Sequence, residues 1–173
     1  MTCISKQFEK YFQRENIPGE ASQDDEDIPQ FGYLITIKID NVDWEFDIET
    51  HDTLNYAFGR AISPTNVAHH RRSAVGDFIQ RLNSTISENN VINHGEGIGT
   101  SSFGINLEDG ETNFQMSILF GSGKVPEERV ISFLSVHFQT FIDFMPDLIA
   151  FSAGNEEPLK YFDSMMYGIT ESD

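Results

Sequence analysis

The chain predicts an α+β fold: an antiparallel sheet built from two β-hairpins, at about residues 33–48 and 102–121, packed against helices on one face. Three observations predict it. Segments of period two come in pairs, not in strict alternation with helices. Each pair brackets a turn dipeptide, Asp40-Asn41 or Asp109-Gly110. A long apolar segment of helical period, Val130 to Met145, follows the second pair. The length of 173 residues suits a single domain, and 39% hydrophobic residues, with fifteen Phe, supply its core.

The elements follow in order. Ile4, Phe8, Tyr11 and Phe12 recur at helical spacing, which predicts an amphipathic helix over 4–14. Residues 17–30, IPGEASQDDEDIPQ, combine two prolines, a glycine and five acids and predict a mobile acidic segment. YLITIKI (Tyr33–Ile39) and VDWEFDI (Val42–Ile48) alternate as the first hairpin. Val42, Trp44, Phe46 and Ile48 then face the core, while Asp43, Glu45, Asp47 and Glu49 face water.

Residues 53–62 suggest a short helix or a turn. Ser63 as cap and Pro64 at the first position predict a helix onset there, with Val67, Val75, Phe78, Ile79, Leu82 and Ile86 as its buried stripe. Residues 91–101 are glycine-rich and have room for a short strand. The second hairpin runs from Phe103, Ile105 and Leu107 through EDGE to TNFQMSILFG. Pro126, with Glu127 and Glu128 in the first turn, opens the central helix. Its stripe is Val130, Phe133, Leu134, Phe138, Phe141, Ile142 and Met145, and Pro146 is expected to interrupt it. A short helix after Pro158 closes the chain.

Composition narrows the function. With 28 acids against 11 bases the formal charge is −17, which disfavours nucleic acid and anionic membrane and favours approach of a basic partner. The single cysteine, Cys3, rules out an internal disulfide and a multi-cysteine zinc site. No signal-like or membrane-spanning apolar run is present, so a cytoplasmic protein is expected.

Catalytic motifs fail on inspection. Gly121-Ser122-Gly123-Lys124 lacks both the first glycine and the hydroxyl residue of a phosphate loop. GEGIGTSSFG has Thr100 where a dinucleotide fingerprint needs its third glycine. His69 and His70 are adjacent, not four apart, and His137 lies on the apolar stripe as a hydrogen-bonded core histidine. No Ser or Cys stands in a nucleophile motif. No cofactor and no metal is expected.

The carboxylate face remains. From Glu20 to Asp52 the chain carries eleven acids and one base, Lys38. The expected function is a non-catalytic acidic protein that neutralises a basic protein. The class it fits best is the immunity protein of a bacterial toxin–immunity pair, the partner being a secreted nuclease toxin domain. Asp43, Glu45, Asp47, Glu49 and Asp52 form the expected binding face, with Asp24, Asp25, Glu26 and Asp27 as a steering arm. Two alternatives stand beside it. One is a metal-dependent hydrolase in which Asp43, Glu45 and Asp47 hold the ion, with a histidine nearby. The other is a DNA mimic that blocks nucleic-acid enzymes. Arg60, Arg71, Arg72 and Arg81 are rival destinations for the acidic charges within the fold.

Overall fold

The computed structural model describes residues 4–17, 19–22, 30–39, 42–90, 93–94, 97–121 and 125–167. Seven antiparallel strands form its sheet: β1 (Gly19–Ser22), β2 (Gln30–Ile39), β3 (Val42–His51), β4 (Tyr56–Ile62), β5 (Asn93–His94), β6 (Gly97–Ile105) and β7 (Thr112–Leu119), in the spatial order β1-β2-β3-β4-β7-β6-β5. Four helices accompany them: α1 (Ile4–Arg14), α2 (Arg72–Asn90), α3 (Glu127–Ser152) and α4 (Glu157–Tyr167). The α+β class, both hairpins and the helices on one sheet face are therefore as the sequence predicts.

One face of β2, β3, β4, β6 and β7 is buried. Ile35, Trp44, Phe46, Ile48, Phe103, Phe114, Met116 and Ile118 are almost fully buried on the inner side. Phe46 is the centre of the core. Its ring meets Phe141 at 4.6 Å, Phe138 at 5.3 Å and Phe114 at 6.4 Å, which fixes α3 over the middle of the sheet. Phe12 against Tyr33 (5.2 Å) and Phe8 against Phe133 (6.5 Å) hold α1 between sheet and α3. Phe78 stacks on Phe151 at 4.6 Å and meets Phe162 at 5.4 Å, joining α2, α3 and α4. Aromatic pairs in these offset and edge geometries add to the stabilisation from burial alone.

Several elements differ from expectation, each for a local reason. Residues 56–62 form β4, not a helix. The inward positions of β4 are Ala57, Gly59 and Ala61, too small to register as an apolar alternation, and Met116 fills the space that a Cβ at Gly59 would enter. Part of the segment expected to be mobile forms β1, whose Gly19–Ser22 pairs with Ile35–Gly32 of β2.

Helix α2 begins at Arg72, not at Pro64. The Ser63 hydroxyl closes a local turn with Thr65, and a 3-10 turn at His69–Arg71 precedes the helix. The intervening loop is docked on the β6–β7 turn: Val67 N–H donates to Gly110 O at 2.8 Å, and the Arg72 guanidinium donates to the carbonyls of Val67, Leu107, Glu108 and Asp109. Gly110 is required at this contact. Its φ is +85°, and a Cβ there would lie 2.3 Å from Val67 O.

Pro146 lies inside α3, which continues to Ser152. Met145, Leu148 and Phe151 are buried on either side of it, and their packing outweighs the ~3 kcal/mol a mid-helix proline costs. Ile142, expected on the buried stripe, is 39% exposed. His137 is buried against Phe133, ring centroids 4.4 Å apart.

Two side chains from the turns and helices complete backbone hydrogen bonding elsewhere. Asn83 of α2 donates its amide to Phe103 O and accepts Phe103 N–H, both at 2.8 Å, so it takes the place of a neighbouring strand along β6. Asp52, in the β3–β4 turn, accepts Ser5 N–H at 2.8 Å and Ser5 Oγ–H at 2.7 Å, satisfying a first-turn donor of α1. The Tyr33 hydroxyl donates to Ser5 O at 2.8 Å in the same joint.

Candidate functional site

The outer face of the sheet follows from register. Three rungs cross it. Leu34 lies opposite Asp47, Asp47 opposite Arg60, and Arg60 opposite Gln115. Gly32, Glu49, Phe58 and Ser117 form the next rung, and His51, Tyr56 and Leu119 the one beyond. Towards the other end, Thr36 faces Glu45 and Lys38 faces Asp43. Strand alternation puts all of these on the side away from the aromatic core.

Asp43, Glu45 and Asp47 are exposed there, and Glu49 is half-buried. Among the described residues no ion pair reaches Asp43, Glu45 or Asp47. Arg60, which lies opposite Asp47 in register, pairs instead with Glu111 through Nη2 at 2.8 Å. Arg71 donates to Phe151 O at 2.7 Å and to Glu156 at 2.9 Å, and Arg72 is committed to loop carbonyls. The ion pairs of Arg60 and Arg71 therefore leave the strand acids alone.

Asp52 does not share this face: both its oxygens hold the start of α1. The expected steering arm, Asp24, Asp25, Glu26 and Asp27, lies outside the described residues. Among the described residues no group of three His, Cys, Asp or Glu side chains is close enough to hold a metal ion, so Asp43, Glu45 and Asp47 do not converge as a cation cage.

The face also carries apolar side chains. Leu34 is 46% exposed, Ile62 41% and Leu119 51%, with Tyr56 and Phe58 half-buried between them. Leu34, Glu45, Asp47, Arg60 and Ile62 line a shallow depression of about 210 Å³. The two halves of the face differ. The β2–β3–β4 half combines carboxylates with aliphatic side chains, whereas β6 and β7 present the neutral polar side chains of Thr100, Ser102, Asn113, Gln115 and Ser117, with Leu119 at the end of β7. Thr100 and Ser117 hydroxyls meet at 3.0 Å across that second half.

Leu34 and Ile62 are the site residues that sequence reasoning did not single out. Leu34 was signalled by phase: in YLITIKI it stands on the polar side of the alternation, with Thr36 and Lys38. Ile62 carried no signal, because β4 itself was not recognised.

The chain is similar to an uncharacterized protein from Methanothermobacter thermautotrophicus, known from a crystal structure, with 13% identity and a TM-score of 0.47 over 83% of this chain and 95% of that one. No protein-family model matches the chain. No curated protein matches it either. Among the described residues no helix is long and apolar enough to cross a membrane.

Proposed function

We propose that this is a non-catalytic binding protein whose outer sheet face neutralises a basic protein partner. The observation that carries the reading is the set Asp43, Glu45 and Asp47, exposed on one strand and met by no ion pair among the described residues. Neighbouring carboxylates that are not cancelled internally repel one another at a small cost in stability, and a cationic partner offsets that cost on binding. Leu34 and Ile62 add the apolar area that gives such an interface residence time beyond electrostatic encounter.

Within this class we favour the immunity protein of a bacterial toxin–immunity pair, acting in the cytoplasm on a basic nuclease toxin domain. The support is the excess of acids, 28 against 11 bases, and a binding face confined to half of one sheet. A DNA mimic asks for acids spread over a whole face, and here the β6–β7 half is neutral.

The test is a pull-down with the full chain as bait. Wild type retains a basic protein at about 0.05 M salt and releases it at about 0.5 M, where the Debye length has fallen to a few ångströms. The D43N/E45Q/D47N variant fails to retain it at either, and the retained protein loses its nuclease activity when wild type is added. Equal retention by bait and variant at both salts overturns the reading.

A further inference from the structure

We infer that the depression on this face is a slot for one arginine side chain of the partner. The inference rests on the reading above and gives it a chemical address. Two aliphatic side chains, Leu34 on β2 and Ile62 on β4, stand on either side of β3, and β3 supplies Glu45 and Asp47 between them. Adjacent strands are about 4.8 Å apart, so Leu34 and Ile62, two strands apart, flank an opening about 10 Å across, with Glu45 and Asp47 about 6.5–7 Å apart along β3 in its floor, and one extended side chain can lie across it.

A long cationic side chain matches both parts at once. Its methylenes cover Leu34 and Ile62 while its head reaches Glu45 and Asp47. Arginine suits the slot better than lysine. A planar guanidinium has donors on several edges and can bridge two carboxylates, whereas an ammonium is a point charge that serves one of them best. A bare divalent ion gains nothing from Leu34 or Ile62, and the donors do not converge for it. Arg60 also lines the slot without filling it, because Glu111 holds its guanidinium at 2.8 Å. That ion pair keeps the one cation lining the slot engaged with an acid other than Glu45 and Asp47.

Blocked amino acids test the slot directly. Full-length protein with labelled backbone amides and methyl groups is titrated with N-acetyl-arginine methylamide and, separately, with N-acetyl-lysine methylamide. Arginine is expected to shift the Leu34 and Ile62 methyls and the Glu45 and Asp47 amides saturably. It should bind at least about threefold more tightly than lysine, and the E45Q/D47N variant should weaken it about tenfold or more. The L34A variant should weaken arginine while leaving the amide spectrum otherwise folded. Equal affinity for the two probes, or shifts spread along Asp43–Glu49 with the Leu34 and Ile62 methyls unmoved, overturns the slot. If that happens while the wild-type bait still retains its basic partner at low salt, only the slot falls. If retention is also lost, the partner reading falls with it.

Discussion

Replacing Asp52 by alanine separates structural acids from binding acids. Asp52 accepts two hydrogen bonds from Ser5, at 2.8 and 2.7 Å, and so anchors the first turn of α1 to the β3–β4 turn. Loss of a capping side chain costs about 0.5–2 kcal/mol, and hydrogen bonds to a charged acceptor lie at the upper end of such effects. With two bonds to one half-buried carboxylate, a loss of about 1.5 kcal/mol is expected. At about 2–4 °C per kcal/mol for a chain of this size, Tm falls by about 3–6 °C. Urea titration and thermal melts followed by circular dichroism read both quantities. Ser5→Ala, which removes the hydroxyl and leaves the backbone donor, should lose less, and the double variant should lose less than the sum of the two. Asp47→Ala provides the contrast: with no ion pair among the described residues, it should change stability by no more than about 0.5 kcal/mol. A D52A protein as stable as wild type to within about 0.3 kcal/mol, or strict additivity with S5A, refutes the anchoring argument.

Two further outcomes concern the scaffold. Asn83→Ala strips both hydrogen bonds from the backbone of the buried Phe103 and should lower stability by about 2–3 kcal/mol, read as a fall in the urea midpoint at unchanged slope. Burial raises the Asp147 carboxyl above its ordinary value of 3.8. The unfolded chain therefore releases this proton first as pH rises, so Asp147 subtracts stability progressively between 3.8 and its raised value and by a constant amount above it. Asp147→Asn should accordingly melt higher than wild type at neutral pH, with the difference vanishing below pH 3.8; no difference at neutral pH contradicts the assignment.

Much of this architecture was legible from side-chain period. Trp44, Phe46 and Ile48 alternate cleanly against Asp43, Glu45 and Asp47, so the hairpin and its two faces could be read off directly. The spacing of Phe133, Phe138 and Phe141 likewise announced α3. Where the inward residues are small the signal vanished: Ala57, Gly59 and Ala61 leave β4 without an apolar alternation, and the neighbour Met116 does the filling. The start of α2 was misplaced because Ser63-Pro64 satisfies a local capping rule, whereas the real onset is set by long-range contacts of Arg72 with the β6–β7 turn. Asp52 was grouped with the binding acids because its partner, Ser5, is forty-seven residues away in sequence. The apolar half of the site was hidden for the same kind of reason. Leu34 and Ile62 come together only through pairing of β2 and β4 on either side of β3.

The most direct test of the acidic face is the association rate of the basic partner, followed by stopped flow against salt. Steering by the outward carboxylates predicts that the wild-type rate falls at least about tenfold between about 0.05 and 0.5 M salt, while D43N/E45Q/D47N starts slow and changes little. Identical rates and identical salt slopes for the two proteins contradict the account.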